Sequence, residues 1–122
     1  MKSLLWLNVI SICLFIVSCE RGSSDMMSKE LRGALPKLSL EGKKVYQTHC
    51  VNCHKLRGEG GVIGPSLDGL ARDMDGTYIR ESILEPNRFI KQGYKRGVMP
   101  TNYGKLLSEK ELDALIFFIT NQ

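Results

Sequence analysis

Histidine is scarce in this chain: two, His49 and His54, stand among 122 residues, with four cysteines and four prolines. No second Cys or Cys/His pair accompanies the close pair Cys50 and Cys53, which excludes an ordinary structural zinc site with its four ligands. Cys13 and Cys19 lie in the N-terminal stretch, so no thiol remains elsewhere to build a disulfide framework. No pair of alternating strands, no internal repeat, and no nucleophile or acid–base pair stands out. What is left is one small, mostly helical domain with no sequence support for an enzyme. No nucleic-acid partner is expected.

The hydrophobic content of 43% is unevenly spread. Leu4 to Val17 reads LLWLNVISICLFIV behind Lys2, a basic start and a short apolar run laid out like an export signal. The run falls short of the roughly 20 residues of a comfortable membrane span; an uncleaved anchor helix is the competing reading. Ile16-Val17-Ser18-Cys19 resembles the lipobox of bacterial lipoproteins, in which cleavage leaves a lipid-carrying Cys at the new N-terminus. The expectation is a signal peptide over residues 1–18 and lipid attachment at Cys19. Several acyl chains, at about 0.8 kcal/mol per buried methylene, hold stably. The alternative is a plain cleavage site with an incidental Cys. The chain is then exported and anchored to a bacterial membrane, facing the periplasm or extracytoplasmic side.

Residues 19–38 read as a flexible tether, because Glu20 to Lys37 is polar, contains Gly22-Ser23-Ser24 and shows no apolar periodicity. The folded domain is expected over 39–122. Ser39 is the predicted N-cap of a first helix through LEGKKVYQTHC. Loop follows at Gly58–Gly61 and Gly64-Pro65. A middle helix is predicted over Thr77–Leu84, ending before Pro86, with further loop through Gly93, Gly97 and Pro100. The last helix has the sharpest signature: Ser108 and Glu111 make a capping box, and Leu112, Leu115, Ile116 and Ile119 recur on one face. The fold class is all-α, three main helices and loops. So small a core normally needs a staple.

Cys50-Val51-Asn52-Cys53-His54 supplies one. This is C-x-x-C-H, the attachment motif of c-type haem. Two Cys three residues apart on a helical turn project from one face, where both sulfurs reach the two vinyl groups of one haem. The adjacent His54 then turns its imidazole to the iron. A thioredoxin-like redox pair wants a strand before it; here a helix precedes. The second axial ligand has three candidates. Met74 sits in the charged stretch Arg72-Asp73-Met74-Asp75, and His49 shares the turn of Cys50 and reads as a surface histidine. Met99, in the helix-free Gly97-Val98-Met99-Pro100, is favoured, because His/Met ligation suits an electron carrier. A core methionine or an open iron position are the alternatives.

From about Leu38 to Gln122 the chain resembles a class I monohaem cytochrome c. Gly64-Pro65-Ser66-Leu67-Asp68-Gly69-Leu70 is similar to the family's segment after the attachment site, where a proline carbonyl accepts a hydrogen bond from the proximal histidine. The resemblance implies that Pro65 orients His54. It also implies that Gly42 and Tyr46 meet the C-terminal helix at Leu115 and Phe118. The stretch TYIRESILEPNRFIKQGYKRGVMPTNYGKLLSEKELDALIFFI is similar to the cytochrome c domain fused to subunit II of some bacterial haem–copper oxidases, although the residues before it hold no copper-binding domain. The cofactor implied is one covalent haem c with its iron, and the function implied is one-electron transfer between redox protein partners. A haem–copper oxidase or a dehydrogenase is the partner class suggested. An enzyme or ligand sensor with open iron, and an accessory subunit of a membrane complex, are the competing functions. Lys43, Lys44, Lys55, Arg57, Arg88, Lys91, Lys95 and Arg96 flank the two ligand segments; they read either as a steering surface for an acidic partner or as a solvated face.

Overall fold

The computed structural model describes residues 21–122; the expected signal peptide 1–18 and Cys19 lie outside the described residues. Helix α1 spans Arg21–His49, α2 Leu70–Asp73, α3 Gly76–Leu84, α4 Tyr103–Leu106 and α5 Glu109–Thr120. Among the described residues extended pairing is limited to one bridge, Leu56 to Glu59. The chain divides into two compact units, Met1–Leu35 and Pro36–Gln122. No helix among the described residues is long and apolar enough to cross a membrane.

Two expectations need correction here. Residues 21–38 are helical, not a structureless tether, and Ser39 lies inside α1 instead of capping it. Met27, Leu31 and Leu35, with Ala34 between, recur at helical spacing, and Lys29, Glu30 and Arg32 are good helix formers. These outweigh Gly33 and the serines. Met27 and Leu31 stay largely exposed. Pro36 sits within α1, where it cannot donate to the helical ladder, and the division between the two units falls beside it.

In the second unit, α5 is the centre of the core. Leu112 and Leu115 are the largest fully buried side chains, with Ala114, Phe118 and Ile119 buried beside them. Each buried Leu contributes about 1.5–3 kcal/mol relative to exposure. The capping box forms as the sequence signals: Ser108 Oγ accepts from Glu111 N–H while the Glu111 carboxylate accepts from Ser108 N–H at 2.9 Å. Ile79 and Ile83 of α3 and Val45 and Tyr46 of α1 complete the same cluster. Asp75 caps α3, accepting from Tyr78 N–H at 2.8 Å, so the helix starts one residue earlier than predicted. Arg80 then pairs with both Glu109 and Asp113, tying α3 to α5.

The crossing of α1 and α5 has no room for a side chain at Gly42. A Cβ there would lie 2.6 Å from the carbonyl carbon of Ala114 and 2.6 Å from Phe118 Cβ. One turn on, Tyr46 packs its ring on Phe118 with centroids 5.8 Å apart. The crossing matters because α1 ends at His49, immediately before Cys50.

Candidate haem site

The end of α1 turns sharply into the motif. The N–H groups of Cys50 and Val51 both donate to Tyr46 O, and those of Cys53 and His54 both donate to Cys50 O, at 2.9–3.1 Å. That doubled turn sets Cys50 and Cys53 three residues apart with both side chains half-buried. Before any bond forms at its sulfur, burial pushes the Cys50 thiol up to about 11, and the neighbouring Cys53 adds to the rise. A thiol so placed is neutral at physiological pH.

The chain then folds back along the motif. Arg57 and Gly58, both with positive φ, make a tight reverse turn closed by reciprocal bonds between Leu56 and Glu59 at 2.8 and 3.1 Å. After it, Gly61 N–H donates to Val51 O, Gly64 N–H to Cys53 O and Leu67 N–H to Lys55 O, each at 2.8 Å. Alternate carbonyls of the motif and of Lys55 just after it are thereby satisfied by the returning loop. The Asp68 carboxyl closes the turn by accepting from Arg57 N–H, with Ser66 Oγ donating at 2.8 Å, and these bonds hold it below the usual carboxylate range.

This returning loop fixes the imidazole of His54. Its Nδ1 lies 2.8 Å from the carbonyl oxygen of Pro65. A carbonyl only accepts, so Nδ1 donates the proton in this bond, and in the neutral ring the lone pair is on Nε2. Gly64 lies against the same ring: a Cβ there would come within 2.8 Å of both ring nitrogens. Tyr46, buried in the core, donates its hydroxyl to His54 O at 2.7 Å, with Glu59 O at 3.4 Å. Burial pushes that hydroxyl's pKa up.

Met99 is half-buried and packs against the same apolar cluster that Cys50 touches, together with Leu67, Leu70 and Leu84. Met74 is 38% exposed. His49 differs from expectation: it is half-buried, its ring edge-on to Tyr103 at 6.2 Å, while the Tyr103 hydroxyl donates to His49 O at 3.1 Å. Lys43, Lys44, Lys55, Arg57, Arg88, Lys91, Lys95 and Arg96 are all exposed. Three contributors were not legible as site residues in the sequence: Gly64 as the floor under the imidazole, Tyr46 as a brace on the His54 carbonyl, and Tyr103 on the carbonyl before Cys50. The run of four glycines within residues 58–64 was the one available signal, since so many in a short loop mark close backbone approach.

The donor set fits one covalent haem. Two half-buried sulfurs share one turn, an imidazole beside them has Nε2 as its accepting nitrogen, and a thioether lies on the same apolar cluster. The model of one protein family, described as Cytochrome c, matches residues 39–122. No curated protein matches the chain.

Proposed function

The chain belongs to the cytochrome c family, and from that premise we propose that it is a membrane-anchored one-electron carrier in which His54 and Met99 would hold the haem iron. Membership makes it an electron-transfer haem protein with covalently bound haem c, and Cys50 and Cys53 stand in the matching C-x-x-C-H motif. Bound through those two sulfurs, the haem supplies an Fe(III)/Fe(II) couple.

The observation that carries the reading is the hydrogen bond between His54 Nδ1 and Pro65 O. It fixes the tautomer, aims Nε2 and strengthens it as a donor, as outer partners of ligating histidines do. Gly64 leaves the ring the room it occupies, since a Cβ there would overlap the imidazole. Tyr46 holds the His54 backbone from the core side. Met99 would supply a soft, neutral ligand to the iron, which with apolar surroundings would favour the reduced state and raise the potential. The role is electron transfer and not catalysis, because a second protein ligand leaves no position for substrate.

Residues 1–18 act as the signal, Cys19 carries the lipid, and residues 19–38 link it to the haem domain 39–122, on the extracytoplasmic side of a bacterial membrane. The exposed basic residues around both ligand segments suit docking to an acidic surface on a redox partner, with a haem–copper oxidase or a dehydrogenase as the class. Mass spectrometry of the protein purified from membranes tests the assembly: one haem on Cys50 and Cys53 and acyl chains on Cys19 are expected. A haem-bearing chain without lipid removes the anchor. A chain without haem removes the carrier.

A further inference from the structure

The Met99 side chain is delivered by a long exposed loop, which raises the question of what fixes its return. Residues 88–98 are all exposed. Within them the backbone holds itself only locally, Arg88 N–H on Glu85 O at 2.8 Å and Tyr94 N–H on Lys91 O at 3.0 Å. One described hydrogen bond spans the segment: Gly97 N–H donates to the side-chain Oδ1 of Asn87 at 2.7 Å.

Both ends of that bond are placed to matter. Asn87 follows the buried Pro86, just beyond α3, whose Ile83 sits in the core, so its backbone belongs to the rigid part of the domain. Gly97 has φ +80, a conformation other residues rarely adopt. It turns the chain two residues before Met99, and Pro100 follows directly. Loops with closed ends of this kind are compact units whose ends set their geometry.

Resting on the reading of Met99 as axial ligand, we infer that Asn87 is a positioning residue for it. Its Oδ1 ties the exit of the 88–97 loop to the end of α3, so that Met99 returns to one place against the core. The side chain of Asn87 acts through Gly97 and need not touch the haem. Losing the bond lets the exit swing, and the methionine then yields more readily to a competing ligand.

The test uses the haem-loaded protein and free imidazole as competitor, followed by loss of the near-red methionine-to-iron band of the oxidised form. Asn87→Ala removes the acceptor and is expected to bind imidazole about fivefold more tightly, the factor set by one net hydrogen bond. Asn87→Asp keeps an acceptor oxygen and is expected to stay within about twofold of the wild type. Unchanged imidazole affinity in Asn87→Ala, or equal loosening in both variants, overturns the inference while the ligand assignment stands. A wild type that lacks the band overturns the ligand assignment and the inference with it. A second measurement needs no variant: in the wild type the Gly97 amide is expected to exchange with solvent more slowly than those of Lys95 and Arg96, which donate no described hydrogen bond. Equal exchange at all three overturns the clamp.

Discussion

Adding one methyl group at Gly42 tests the packing that places the haem-binding turn. The Cβ of Gly42→Ala would lie 2.6 Å from the Ala114 carbonyl carbon and from Phe118 Cβ, well inside van der Waals contact. The Ala114 atoms are backbone, so no rotamer change relieves the clash; α1 and α5 must separate. Overpacking of this kind costs about 1–3 kcal/mol, and the rigid neighbours put it at the upper end. The substitution also gains about 1 kcal/mol of helix propensity. The net loss is about 2 kcal/mol, a fall in Tm of roughly 8–16 °C for a domain of this size. Thermal unfolding of the haem-loaded protein, followed by far-ultraviolet circular dichroism, reads it directly. Gly33→Ala in the same helix is the control, since a Cβ there meets nothing within 4 Å, and it should cost no stability. A Gly42→Ala protein as stable as the wild type refutes the close crossing.

Two further outcomes follow from the geometry beneath the imidazole. Tyr46→Phe removes the hydroxyl that donates to His54 O and leaves that carbonyl short of a partner; denaturant unfolding should show a loss of about 1–2 kcal/mol, and an unchanged midpoint counts against the brace. Asp68 has its carboxyl held below its ordinary value chiefly by the Arg57 N–H and then by Ser66. Its contribution is therefore complete above the ordinary carboxylate value near 4 and is lost as pH falls through the lower folded value. Asp68→Asn should flatten that part of the acid-unfolding curve, and curves of equal slope for the two proteins would refute the assignment.

What could be read from the sequence was what is local. The capping box at Ser108 and Glu111 and the motif Cys50–His54 each operate within one turn of chain, so their residue types and spacing carry the geometry. The crossing at Gly42 and the bond from His54 to Pro65 span distant residues; they were reached through the family resemblance and not from spacing. Tyr46 on His54 O, Gly64 under the imidazole and Asn87 on Gly97 are contacts that involve loop residues, and nothing periodic announces them. The single-turn helices α2 and α4 are too short to leave a repeating pattern. The start of α1 is hidden for a different reason. Gly22, Gly33 and the serines dilute a real apolar spacing at Met27, Leu31 and Leu35, so a polar stretch conceals a helix.

The central claim is that the iron is closed on its second face by Met99, which makes the protein a carrier. The most direct measurement is the optical spectrum of the oxidised, haem-loaded protein beside that of Met99→Ala. The account predicts a near-red methionine-to-iron band in the wild type that disappears in the variant, together with a fall in midpoint potential. A wild type without the band, or a variant that keeps it, contradicts the claim.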